Sequence, residues 1–190
     1  NVSANDTSGN LGWANVTFTY DATAPMVSLA TPIPGYNSSS TSIGFMFNVT
    51  DNLNASMACS LYINGTFRST MSAANATDTT FTSISVSTGS GQNWTVSCSD
   101  GINTFIASNR AFSADTSAPT VTIHAPANAW YNIPPYINGT ATDTQVLKAI
   151  RTNLSYYSAL DTTSPFNFTN SSALPQGALT VNVSAHDSAG

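Results

Sequence analysis

The sequence predicts an all-β chain built from tandem sandwiches, and three observations carry that prediction. Strand-like runs punctuated by Gly, Pro, Asn and Asp continue through the 190 residues, while helical periodicity is almost absent. Within most runs the apolar residues keep one parity and Asn, Ser and Thr the other, the pattern of a sheet with one face on a core and one in water. Finally, Asp21-Ala22-Thr23-Ala24-Pro25 returns 94 positions later as Asp115-Thr116-Ser117-Ala118-Pro119, each followed by a short strand. A fixed period means stacked copies of one unit.

Taken in order, Asn15 to Tyr20 reads as a strand with Val16, Phe18 and Tyr20 on one face and Asn15 and Thr17 on the other. Met26-Val27-Ser28-Leu29 opens the next unit, and Phe45-Met46-Phe47-Asn48-Val49-Thr50 repeats the same parity. Leu61-Tyr62-Ile63 runs into Asn64-Gly65, a two-residue hairpin turn that needs positive φ. Trp94-Thr95-Val96 follows Asn93 with the apolar residues again in phase. Thr120-Val121-Thr122-Ile123 starts the second copy. Gln145 to Arg151 carries helix formers, yet Ile150, Thr152, Leu154 and Tyr156 recur at spacing two, so the stretch is read as strand. Phe166-Asn167-Phe168-Thr169 and Val181-Asn182-Val183-Ser184 complete the series.

Aspartates mark the same places in each copy: Asp51 with Asp143, and Asp6 and Asp100, each fifteen residues before Asp21 or Asp115. Residues 182–190 align with residues 1–9 at an offset of 181, with six of nine identical. A period near 90 with about seven short strands is the size of an immunoglobulin-like sandwich.

The chain resembles the Ig-like repeats found in tandem in bacterial and archaeal cell-surface proteins. The resemblance rests on the two Asp-x-x-Ala-Pro signatures, on Asn93-Trp94-Thr95-Val96-Ser97-Cys98-Ser99-Asp100-Gly101, and on Cys59-Ser60-Leu61-Tyr62-Ile63-Asn64-Gly65. It implies fold and location rather than activity, since such modules serve as spacers, adhesins and filament subunits alike. The expected layout is a strand end and a lone strand over 1–23, a complete Ig-like domain over 24–118, and an Ig-like domain lacking its last strand over 119–190. Another copy must then close the open sandwich, either as the next repeat of one long chain or by donating a strand from a neighbouring subunit. A first residue other than Met is read as the mark of a processed or excised piece.

Fourteen of the twenty asparagines head an N-x-Ser/Thr triplet without proline: Asn1, Asn5, Asn15, Asn37, Asn48, Asn54, Asn64, Asn75, Asn93, Asn138, Asn153, Asn167, Asn170 and Asn182. With 54 Ser and Thr among 190 residues, chance alone supplies only about six. A heavily N-glycosylated, secreted chain is the expectation. Only 7% of residues are charged, so hydroxyls, amides and glycans must keep the surface wet. The net charge of −5 leaves no basic stripe for nucleic acid, and no apolar run reaches the length of a membrane span.

Secretion makes a disulfide between Cys59 and Cys98 the expected state, with two buried free thiols as the alternative. The recurrent aspartates are read first as caps of their own turns; calcium at domain junctions is the other use of such oxygen clusters. No catalytic constellation is found: His124 and His186 read as surface residues, and the chain contains no glutamate. Trp13, Trp130, Tyr131 and Tyr136 read as core or junction packing, with a sugar-stacking platform as the alternative. The expected role is therefore structural and not enzymatic, a unit of a glycan-coated extracellular filament or cell-surface stalk whose partners are further copies of itself. An adhesin or carbohydrate-binding module is the rival.

Overall fold

A computed structural model describes residues 1–158 and 160–189. Gly190, the last member of the repeated nine-residue end, lies outside the described residues. All regular structure among the described residues is strand.

The chain begins with a hairpin in which β1 (Val2–Asn5) pairs antiparallel with β2 (Leu11–Ala14). Asp6 closes its turn by accepting hydrogen bonds from Ser8 N at 2.9 Å and Asn10 N at 2.8 Å. Residues 15–20 follow without a ladder partner among the described residues, so the strand expected there is an unpaired segment. Its Val16, Phe18 and Tyr20 are 82%, 82% and 78% exposed.

The first sandwich contains β3 (Met26–Thr31), β4 (Tyr36–Ser38), β5 (Ser42–Thr50), β6 (Ser56–Ile63), β7 (Thr66–Ala74), β8 (Thr79–Ser85), β9 (Gly89–Ser99), β10 (Thr104–Ile106) and β11 (Arg110–Ala114). One sheet has the order β3-β5-β8, and the other the order β4-β11-β9-β6-β7 with β10 also on β9. The alternation seen in the sequence fills the space between them: Phe45, Phe47 and Val49 of β5 meet Leu61, Ile63, Trp94 and Val96 of the opposite sheet, all fully buried. Phe45 packs on Trp94 and Phe112 with ring centroids 5.1 and 5.5 Å away. Cys59 and Cys98 stand directly opposite each other on β6 and β9 and are disulfide-bonded, as expected. The β6–β7 turn has Asn64 at φ 50° and Gly65 at φ 74°, the left-handed pair that the Asn-Gly dipeptide requires.

The second sandwich is smaller. It contains β12 (Thr120–Ala125), β13 (Ile137–Thr142), β14 (Leu147–Thr152), β15 (Phe166–Phe168) and β16 (Val183–Asp187), ordered β12-β13-β15 and β14-β16. Its separate core is Ile137, Ala141, Ile150, Tyr157, Phe166 and Phe168. Ile150 faces Ala185 across β14 and β16, the place of the disulfide in the first sandwich. Gly139 has no room for a side chain: a Cβ there would collide with the Thr122 carbonyl oxygen and lie 2.7 Å from the Phe166 ring. The strand expected to run on to Tyr156 stops at Thr152. A turn supersedes the alternation there, with Tyr157 N bonding Leu154 O at 3.2 Å, and Tyr157 enters the core, its hydroxyl donating to Pro135 O at 2.7 Å.

Candidate functional sites: strand ends, sequons and carboxylate clusters

The 94-residue period places Phe18 at the position of Phe112 and Tyr20 at that of Ala114. Phe112 and Ala114 belong to β11, which closes the first sandwich against β9 and β4 and is buried there, whereas Phe18 and Tyr20 project into solvent. The second sandwich shows the complementary deficit. Its last strand and the residues just before it leave half-buried what the first sandwich covers: Trp94, Val96 and Cys98 are fully buried on β9, but the matching Val181, Val183 and Ala185, 87 positions on, are only half-buried.

The residues on the two sides of this deficit match. In the first sandwich Arg110 stands opposite Trp94, with its guanidinium 5.8 Å from the ring centre, and Phe112 opposite Gln92. By the same sequence offsets, Val16 and Val181 correspond to Arg110 and Trp94, and Phe18 and Leu179 to Phe112 and Gln92. A cation on an aromatic ring is replaced on both partners by an aliphatic pair.

None of the fourteen sequon asparagines is buried. Asn1, Asn5, Asn15, Asn64, Asn153, Asn167 and Asn182 are exposed; Asn37, Asn48, Asn54, Asn75, Asn93, Asn138 and Asn170 are half-buried. The parity argument accounts for this: Asn167 is exposed between Phe166 and Phe168, which are 1% and 0% exposed. Among the described residues, five acceptors donate their amide within the fold: Asn48 to Asp78 Oδ1, Asn54 to Asp100 O, Asn153 to Thr180 O, and Asn75 and Asn170 to two carbonyls each. Asn75 accepts from Asp51 N at 3.0 Å and donates to Asp51 O at 2.7 Å and Asn54 O at 3.0 Å, while Asn170 donates to Tyr156 O and Ser172 O.

The aspartates do cap their turns, and they also converge, which spacing alone did not show. Asp21, Asp51 and Asp100 come together beside the first sandwich, and Asp115, Asp143 and Asp187 beside the second; in each group the carboxylate oxygens lie within 4.8 Å of one another. Each group takes one residue from the Asp-x-x-Ala-Pro segment, one from the end of β5 or β13, and one from the end of β9 or β16. Hydrogen bonds from Asn103 N and Ile102 N hold the Asp100 carboxyl below the ordinary aspartate range, and those from Ser117 N and Thr144 Oγ1 do the same for Asp115.

His124 and His186 are exposed, as expected. The aromatics read as packing are not packed: Trp13, Trp130, Tyr131 and Tyr136 are 69%, 101%, 47% and 61% exposed. Sequence parity misses this because Trp130 to Tyr136 lies outside any strand, where no period assigns a face. No helix among the described residues is long and apolar enough to cross a membrane. No protein-family model, curated protein or solved structure matches the chain.

Proposed function

We propose that this chain is a structural unit of a heavily N-glycosylated extracellular filament or cell-surface stalk, built from tandem Ig-like sandwiches and joined head to tail by strand completion. The observation that carries the reading is the paired deficit: an exposed Val16-Phe18-Tyr20 face on an unpaired segment, and a half-buried Val181-Val183-Ala185 face on an open sandwich. Main-chain pairing of the first with the second would satisfy a ladder and cover a core in one step. Because donor and acceptor are different surfaces, such pairing between copies runs head to tail and builds an open filament wherever the rotation between copies does not close a ring.

The sequons support the surface half of the proposal, since a glycan needs an accessible amide nitrogen and no acceptor is buried. Asn75 and Asn170, whose amide hydrogens each serve two carbonyls of the fold, are the poorest acceptors in this reading, and Asn48, Asn54 and Asn153, with one such bond each, come next. Images of the native material should show a fibre with one repeat per chain, and deglycosylation should remove mass equivalent to many chains of sugar. A self-sufficient monomer of unmodified mass would end the proposal. The exposed Trp130, Tyr131 and Tyr136 favour a carbohydrate-binding module as the second reading, and binding to a glycan array lost on Trp130→Ala would support it.

A further inference from the structure

The six converging aspartates have a physical problem that turn capping does not solve. In Asp51 and Asp143 capping uses one oxygen only: Asp51 Oδ1 accepts from Leu53 N at 2.9 Å and Asn54 N at 2.8 Å, and Asp143 Oδ1 from Thr144 N. The other oxygens of these two, Asp51 Oδ2 and Asp143 Oδ2, are buried and have no hydrogen-bond partner among the described residues. The two residues occupy the same position in the two repeats, and each belongs to one of the groups of three carboxylates. Asp115 and Asp187 of the second group are themselves only 4% and 5% exposed.

A buried anionic oxygen without a donor is destabilising, and two further carboxylates alongside add repulsion to the lost hydration. The protein does not answer with cations. It has four Lys and Arg residues in all, and none pairs with Asp21, Asp51, Asp100, Asp115 or Asp143 among the described residues. Arg110, one of the four, donates to Ala30 O and lies over Trp94.

We infer that each group is a binding site for a hard divalent cation of the calcium class, giving two sites per chain. The ligands are Asp21, Asp51 and Asp100 in one and Asp115, Asp143 and Asp187 in the other. Ca²⁺ takes oxygen ligands at about 2.3–2.6 Å, so two ligands of one ion stand at most about 5 Å apart, and the observed 4.8 Å limit meets that condition. The donor set is all oxygen, with no imidazole or thiolate to favour zinc. An ion would partner the two orphaned oxygens and neutralise the triads.

The placement gives the ion a mechanical role. Asp115 directly follows β11, the last strand of the first sandwich, whereas Asp143 and Asp187 belong to the second. Asp21 directly follows the unpaired residues 15–20 in the same way. Each cation would therefore tie the exit of one closing strand to two loops of the next sandwich, stiffening the junction.

The test is calcium titration of the whole chain by calorimetry, with thermal melting in Ca²⁺, in Mg²⁺ at equal ionic strength, and in chelator. Wild type should bind two Ca²⁺ per chain and melt on the order of 5–10 °C higher in excess Ca²⁺ than in chelator. Asp51→Asn and Asp143→Asn keep the capping oxygen and remove one ligand charge, so each should bind a single Ca²⁺ and the double variant none. In chelator both variants should melt at or above wild type, because a repulsion has been relieved. Absence of Ca²⁺ binding at roughly 5 mM, above the affinity range of extracellular modules, would overturn the inference. So would wild-type stoichiometry in the double variant, or variants that melt lower in chelator with an unchanged calcium response, the signature of aspartates that serve only their turns.

Discussion

Replacing Phe18 by Ala tests strand completion where its energy is concentrated. Phe18 is 82% exposed in the single chain, and its counterpart Phe112 is 1% exposed within the first sandwich. Docking residues 15–20 onto an open second sandwich would carry the Phe18 ring across nearly that whole range. Complete burial of a phenylalanine contributes about 2–3 kcal/mol, and truncation to Ala in a packed site costs about 3–4 kcal/mol once the cavity is included. The Phe112–Phe45 edge contact is not part of this sum, because Ile137 replaces Phe45 in the second sandwich. The junction dissociation constant should therefore rise roughly 100- to 1000-fold.

Sedimentation or mass photometry over a concentration series gives the mean number of copies per particle and hence that constant. Thr19→Ala is the control: it lies on the opposite face, is not part of a sequon, and should change the constant by about twofold at most. The single chain should keep its melting temperature in both variants, because an exposed side chain contributes little to its own fold. Equal assembly by Phe18→Ala and wild type would refute the argument, as would a loss in Thr19→Ala matching that in Phe18→Ala.

Three further outcomes follow from the geometry. Removing the disulfide with Cys59→Ser and Cys98→Ser should lower the stability of the first sandwich by about 4 kcal/mol on the loop-entropy account, since the bond spans 39 residues, and denaturant melts with and without reductant measure it. Asn75→Ala should destabilise by about 2–3 kcal/mol through loss of its bonds to Asp51 and Asn54, whereas the exposed Asn167→Gln should stay within about 0.5 kcal/mol, so that thermal melts of unglycosylated protein separate the structural sequon from the surface one. Burial raises the Asp161 pKa, but hydrogen bonds from Asn167 N, Thr163 N and Thr163 Oγ1 outweigh it and hold the carboxyl below its ordinary value. Its contribution is present above the unfolded value near 3.9 and is lost as pH falls through the lower folded one, so Asp161→Asn should flatten an acid melt below about pH 4.

Much of this molecule is written locally. Residues 45–49 and 94–98 alternate because side chains on a strand take opposite faces, and that period alone told which asparagines point outward and that Cys59 and Cys98 share the core parity. Asn64-Gly65 specified its turn because few other residues tolerate two positive φ values in succession. The repeat of Asp-x-x-Ala-Pro marked the copies, since self-similarity needs no coordinates to be seen.

Other features exist only in three dimensions. Asp51 and Asp100 are 49 residues apart, and nothing local says that the loops after β5 and β9 meet; stacking of the two sheets brings them together. The same holds for the half-buried Val181 to Ala185, whose deficit becomes visible only beside the closed first sandwich. The stop of β14 at Thr152 and the exposure of Trp130 are likewise settled by which neighbours the fold supplies. Sequence period assigns a side chain to a face, whereas packing decides what that face touches, because contacts between distant segments depend on how whole sheets align.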